Sequence, residues 1–383
     1  MFLGAARRWQ TRWVRRASGN TRLTGMALAV LLALLAACSP PPPEAAPVVA
    51  DPVAWAARVQ ASLDDVTLDG GGLQIPDGGN VLAVQIFGGG SSPAYAFYEA
   101  GGGAFADDFF PASSIKLLAA LGALDLARSL GFTGNAVVDG GFTIHDYYDA
   151  ALRYSSNEDY SELVRIAGVD RLNQQFLPDH GFLGTTIQEA YGAGEQVLYS
   201  PEMVLTEGDR EVTVAEREGE YNEACGSGNC STLFDLLDAT RRVMLDAEIP
   251  AGERFDLSPD DIAGLQDALA GAEGFIAPGV AEALGPDALI FTKPGWVPYL
   301  ACVEAALIVD PTTGRRYLIG LSAPDDGTCE ELATMARDVL QILAACDPSV
   351  AVRADGSRVS ITDGRQSGTP LPEAGAGLPC HLR

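Results

Sequence analysis

A hydroxyl and an amine three residues apart, Ser113 and Lys116, open an apolar run that begins Phe-Phe-Pro-Ala-Ser-Ser-Ile-Lys-Leu-Leu at residues 109–118. Ile115, Leu117, Leu118, Leu121 and Leu124 surround most of the helix that this run predicts. Such a helix has almost no face to give to water, so the fold must be built around it. Pro111 and Ser113 stand where a helix begins, and Gly131 stands where one ends. A spacing of three puts the hydroxyl and the amine on one face. A lysine held among apolar neighbours loses hydration, its pKa falls, and the neutral amine can take a proton. Free N–H groups at the start of the helix can hold an oxyanion. Ser-x-x-Lys also arises by chance, and a serine opening a helix is commonly only a cap. Partners elsewhere in the chain must decide.

Residues 1–37 read as a targeting segment. Arg7, Arg8, Arg12, Arg15, Arg16 and Arg22 precede an unbroken apolar core at residues 26–37, too short for a permanent membrane span. The core ends Leu35-Ala36-Ala37-Cys38-Ser39 and resembles a bacterial lipoprotein signal. That resemblance implies cleavage before Cys38 and a lipid on its sulfur; the alternative is an ordinary secretory signal with Cys38 incidental. Arg15-Arg16 sits in a poor context for a twin-arginine signal. Either way the mature chain is expected outside the cytoplasm, in the cell envelope. Residues 38–50, rich in Pro and Ala, read as a stiff spacer from anchor to domain.

The chain carries 25 basic against 51 acidic residues, a net charge of −26. Loss of the six leader arginines leaves 19 against 51, or −32. Such a surface excludes nucleic acid as a partner. Outside the cytoplasm, Cys225, Cys230, Cys302, Cys329, Cys346 and Cys380 can form up to three disulfides, and six cysteines allow 15 connectivities. Cys225–Cys230 across a Gly-Ser-Gly-Asn turn is the simplest pair, with Cys302–Cys329 and Cys346–Cys380 the simplest remainder. His145, His180 and His381 lie at no ligand spacing from a cysteine pair, so neither zinc nor another cofactor is expected. A monomer is the expectation.

The hydrophobic pattern gives a helix from Asp51, strands at residues 81–87 and 94–99, and then the central helix. A helical block spans residues 131–270, with helices near 143–154, 158–166, 171–176, 232–245 and 260–269. The acid-rich stretch 202–223 reads as a loop. Strands return at 288–292, 303–309 and 316–322, the last two flanking the turn Asp310-Pro311-Thr312-Thr313-Gly314, and a helix follows over 332–343. The expected fold is α+β. A five-stranded antiparallel sheet carries the first and last helices on one face, an all-helical subdomain is inserted, and the site lies between the two. The folded domain would be 51–346, and 347–383 a tail.

Two further motifs follow in order. Ser155-Ser156-Asn157 lies between two predicted helices, and Lys293-Pro294-Gly295-Trp296 ends a predicted strand. With Ser113-x-x-Lys116 they make the chain similar to the penicillin-recognising serine hydrolases, above all the class A β-lactamase branch, which is related to the D-alanyl-D-alanine peptidases. The resemblance covers roughly residues 50–345. It implies Ser113 as the nucleophile of an acyl-enzyme and Lys116 as its proton acceptor. It makes Ser155 the donor to the leaving amine, and gives Asn157 the substrate amide and Lys293 the substrate carboxylate. The N–H groups of Ser113 and Trp296 would form the oxyanion hole. The substrate would be a β-lactam or a D-alanyl peptide of the cell wall, and a non-catalytic binding lipoprotein is a third possibility. Pro294 departs from the family pattern, since the usual hydroxyl is missing, and Ser156 replaces an Asp. Glu218-Gly219-Glu220-Tyr221-Asn222 resembles the family's Glu-x-x-Leu-Asn, which implies Glu218 as the deacylating base and Asn222 as a second ligand for its water.

Overall fold

The computed structural model describes residues 52–63, 73–88, 93–106, 109–191, 198–226, 228–325, 327–345, 350–353 and 358–360. The signal and anchor at Cys38, the spacer, the Asp51 cap and the Cys346–Cys380 pair lie outside the described residues.

Helix α1 (Pro52–Leu63) leads to β1 (Asn80–Phe87) and β2 (Ala94–Ala100). These strands pair antiparallel, Val81 opposite Ala100 and Phe87 opposite Ala94. A 3-10 turn at Ala112–Ile115 runs into α2 (Lys116–Ser129). Helix α2 is buried on nearly every side, as its sequence demands. Gly131, at φ 81°, ends it in the left-handed region that favours glycine.

The inserted lobe contains β3 (Val137–Val138), α3 (Ile144–Arg153) and α4 (Asn157–Ala167). Thr143 caps α3 in a full capping box with Asp146. A broken helical run over residues 169–179 contains a π-helical stretch at Leu172–Phe176. Then come β4 (Tyr199–Ser200), β5 (Met203–Glu207), β6 (Arg210–Val214) and β7 (Arg217–Glu218). Helices α5 (Leu233–Met244) and α6 (Pro259–Ala270) complete this part, and α7 (Ala277–Leu284) follows, its Val280 buried in a separate core with Val81 and Met335. The chain returns through β8 (Leu289–Val297), β9 (Ala301–Val309) and β10 (Arg316–Ala323), and then α8 (Glu330–Ala345).

The five expected strands form one antiparallel sheet. Two short strands beyond the expected domain end, β11 (Val350–Arg353) and β12 (Arg358–Ser360), extend it to the order β12-β11-β2-β1-β10-β9-β8. Strand β8 is therefore an edge.

Three expectations are corrected. The 202–223 stretch is not a loop, and the lobe is not all-helical. β5 and β6 make a hairpin through Gly208-Asp209, with Glu207 opposite Arg210, and β3 joins it. Met203 and Leu205 alternate into the core there, with Val212 and Val214 packed against it, a period-two pattern hidden under the exposed acids. The first and last helices do not share a sheet face. Trp55 of α1 packs edge-on against Tyr95 and Phe97, at 5.5 and 5.6 Å between ring centroids, on the face that holds Leu82 and Val84. Leu332, Met335 and Val339 of α8 pack on the opposite face with Val81, Ala83 and Tyr98. Alternate residues of one strand point to opposite faces, so each helix has its own set of partners.

Candidate active site

The site is built where three elements converge: the turn before α2, the turn before α4, and the edge strand β8. A 3-10 turn makes side chains three apart eclipse, which sets Ser113 and Lys116 on one side. Ala112, just before Ser113, has φ 47°, a left-handed conformation that costs a non-glycine residue about 1–3 kcal/mol. Its carbonyl accepts the Tyr191 hydroxyl at 2.9 Å. Gly295 of β8 lies directly on this turn. A Cβ there would come within 2.7 Å of Pro111 O and 2.9 Å of Ser113 N, so only glycine lets the strand approach.

Before α4, the cap bond to Asp159 N comes from Ser156. Ser155 and Asn157 are thus free for other work, and Ser155 is held at φ 56°. Lys116 is fully buried. Its Nζ donates to Ser155 O at 2.6 Å and to Asn157 Oδ1 at 2.7 Å, and Ser155 Oγ lies 3.4 Å away. Lys293 Nζ donates to the same Ser155 Oγ at 3.0 Å and to Pro294 O at 3.0 Å. One hydroxyl therefore lies between two buried amines.

Burial lowers Lys116 to about 7, and the charges of Glu158 and Asp159 offset only part of the cost. Burial also lowers Lys293 to about 7, helped by the Lys116 charge and opposed by Glu304. Neutral Lys116 has two N–H bonds, which its two strong acceptors use, and a lone pair left over. The rings of Tyr160 and Tyr191 each lie 5.8 Å from its Nζ and wall it from water.

Pro294 is tolerated because, among the described residues, β8 has no partner on its outer side. Opposite it, Glu304 is buried and accepts from Thr292 Oγ1 at 2.7 Å and from the backbone N–H groups of Phe275 and Ile276. Burial pushes Glu304 up to about 7, against the pull of these donors and of Lys293.

Hydrogen bonds join Lys116, Ser155, Asn157 and Lys293, and Gly295, followed by Trp296, lies against the turn that holds Ser113. Glu218 and Asn222 have other partners. Glu218 is exposed on β7, paired with Tyr199. Asn222 caps a short turn through Ala224 N and donates to Thr186 Oγ1 at 3.1 Å. Glu189, not among the sequence candidates, is a half-buried carboxylate whose backbone is bonded to Tyr160, one of the two tyrosines beside Lys116. Its backbone carbonyl accepts from the Tyr160 hydroxyl at 3.1 Å and its N–H donates to Asn229 Oδ1 at 3.0 Å, while burial raises its carboxyl. Its one sequence signal was Tyr191 two residues on, an aromatic in a short loop-like stretch.

The cysteines pair as Cys225–Cys230 and Cys302–Cys329. No helix among the described residues is long and apolar enough to cross a membrane.

No protein-family model matches the chain, and no curated protein does. Solved structures similar to it include an acyl-enzyme complex of a PBP-A mutant with penicillin G, at 17% identity over 70% of this chain and 90% of that one, TM-score 0.47. PBP-A itself is similar at 15% identity over 76% and 95%, TM-score 0.49. A class A β-lactamase from Bacteroides cellulosilyticus is similar at 11% identity over 76% and 98%, TM-score 0.47. At these values the likenesses assign no activity, and function has to be argued from the residues of the site.

Proposed function

We propose that the chain is a serine hydrolase that opens a β-lactam-type amide through an acyl-enzyme on Ser113. One observation carries the reading: the Ser155 hydroxyl is shared by two buried, near-neutral lysines beside the turn that holds Ser113. An amide needs a nucleophile, a proton acceptor, a donor for its leaving nitrogen and a cradle for the oxyanion, and these residues supply all four. Lys116 takes the Ser113 proton as Oγ attacks the carbonyl carbon. The N–H groups of Ser113 and Trp296 hold the negative oxygen. Ser155 hands a proton to the leaving nitrogen and is resupplied from the amines. Asn157, whose Oδ1 is committed to Lys116, keeps its Nδ2 for a substrate carbonyl. Lys293, when charged, attracts a substrate carboxylate.

Release needs a base for water. We assign it to Glu189 rather than the exposed Glu218, because its backbone is bonded to the Tyr160 that walls Lys116 and burial raises its carboxyl. A second reading is a D-alanyl peptidase of the penicillin-binding type, which acylates readily and clears slowly; the exposure of Glu218, the base that the 218–222 motif would supply, favours it. A non-catalytic binding protein is the third, motivated by Pro294. The two disulfides and the Cys38 motif support a lipid-anchored protein of the cell envelope. Incubation with a labelled penicillin tests these readings. The leading reading expects rapid turnover that is lost in Ser113→Ala. A persistent adduct on Ser113 favours the peptidase. Neither adduct nor hydrolysis removes both enzymatic readings.

A further inference from the structure

The hairpin that carries Trp296 is tied down at one point. Asp325, in the connection after β10, is buried, and both its oxygens are occupied by donors from elsewhere. Its Oδ2 accepts from Trp296 Nε1 at 2.8 Å and from Tyr299 N at 2.7 Å, both on the β8–β9 hairpin. Its Oδ1 accepts from Gly327 N at 2.8 Å and Cys329 N at 3.3 Å, on the segment leading to α8. The disulfide Cys302–Cys329 closes the ring, because Cys302 is the ladder partner of Trp296. Tyr299 (φ 60°) and Cys329 (φ 56°) are both left-handed non-glycine residues, and both give their N–H to this carboxylate. Such conformations persist only where the surroundings over-determine them. Only an ionised carboxylate offers acceptors on both sides to four donors. Cys302, Asp325 and Cys329 also cluster closely enough to suggest a metal, but the sulfurs are bonded to each other and give no thiolate.

We infer that Asp325 is a positioning residue. With the Cys302–Cys329 bridge it clips the β8–β9 hairpin to the α8 segment and so fixes where the Trp296 N–H meets the reacting carbonyl. This rests on the acyl-transfer reading above, in which that N–H stabilises the oxyanion. Asn in place of Asp325 keeps the shape but can accept on one side only, so either the hairpin pair or the α8 pair loses its bonds. Trp296→Phe removes the indole donor alone.

Hydrogen exchange read by mass spectrometry and acylation by a labelled penicillin test the clip together. In Asp325→Asn, the peptide spanning residues 295–301 is expected to exchange at least about tenfold faster while α2 peptides are unchanged. The limiting acylation rate is expected to fall by about 10- to 100-fold with the half-saturating penicillin concentration held, the signature of a misplaced oxyanion donor. Trp296→Phe is expected to show a smaller loss of the same kind. Unchanged exchange in the hairpin overturns the clip, whatever the activity. Faster exchange with an unchanged limiting rate, or a loss confined to half-saturation, overturns the positioning role. A parent chain that never acylates refutes the underlying reading, and the exchange result still decides the clip.

Discussion

Two stretches of this chain carry equally suggestive charged motifs, and the fold treats them in opposite ways. Lys116 and Lys293 are driven into the interior, where each loses its hydration and shares Ser155. Glu218 stays in water on a two-residue strand. In a chain with 51 acidic residues, a Glu-x-x-x-Asn spacing comes cheaply. A buried lysine does not come cheaply: desolvating an ammonium costs several kcal/mol unless it is neutralised or paired. Two of them beside one hydroxyl are retained against that cost, which is why they point to chemistry and the exposed glutamate does not.

The contrast can be broken or sharpened by substitution. Ser155→Ala removes the hydroxyl between the amines and is expected to slow acylation by about 10²- to 10³-fold, the usual scale for losing a proton-transfer group, as read by stopped-flow with a labelled penicillin. Lys293→Ala should cost about 10- to 100-fold, chiefly as weaker capture of carboxylate-bearing substrates, seen in the half-saturating concentration. Glu189→Gln should leave acylation within about threefold and prolong the acyl-enzyme at least about tenfold, measured by the decay of the labelled adduct. Glu218→Gln should change neither step by more than about twofold; a long-lived adduct in this variant alone would reverse the assignment.

Stability gives a further check, with a definite sign. Folded Lys116 titrates near 7 against 10.5 ordinarily, so between those values the unfolded chain binds the extra proton and this group favours folding more as pH rises. Glu304, raised to about 7 from 4.5, makes stability fall as pH rises through that lower window. Lys116→Met should therefore show its largest gain in Tm relative to the parent near pH 6, shrinking toward pH 10.

Much of the fold was legible because the signals were strong and local. The all-round apolar α2 and the Asp310 turn each predict an element from a few residues. The β5–β6 hairpin was hidden because acids and arginines mask its alternation, although Gly208-Asp209 is a usable turn signal. The face taken by α1 was not legible, since Trp55 finds Tyr95 and Phe97 only in three dimensions. The lysines and Ser155 were legible from order and spacing. Glu189 and Asp325 were not, because their hydrogen-bond partners lie far away in the chain.

The pH dependence of acylation is the sharpest test of Lys116 as the proton acceptor. If the buried Lys116 amine takes the Ser113 proton, the rate should rise about tenfold per pH unit below 7 and level off above it. Lys116→Arg, charged throughout, should be about 10³-fold slower than the parent's plateau rate and should lose this rise with pH. A rate that is flat from pH 5 to 9, or an arginine variant that acylates like the parent, would contradict it.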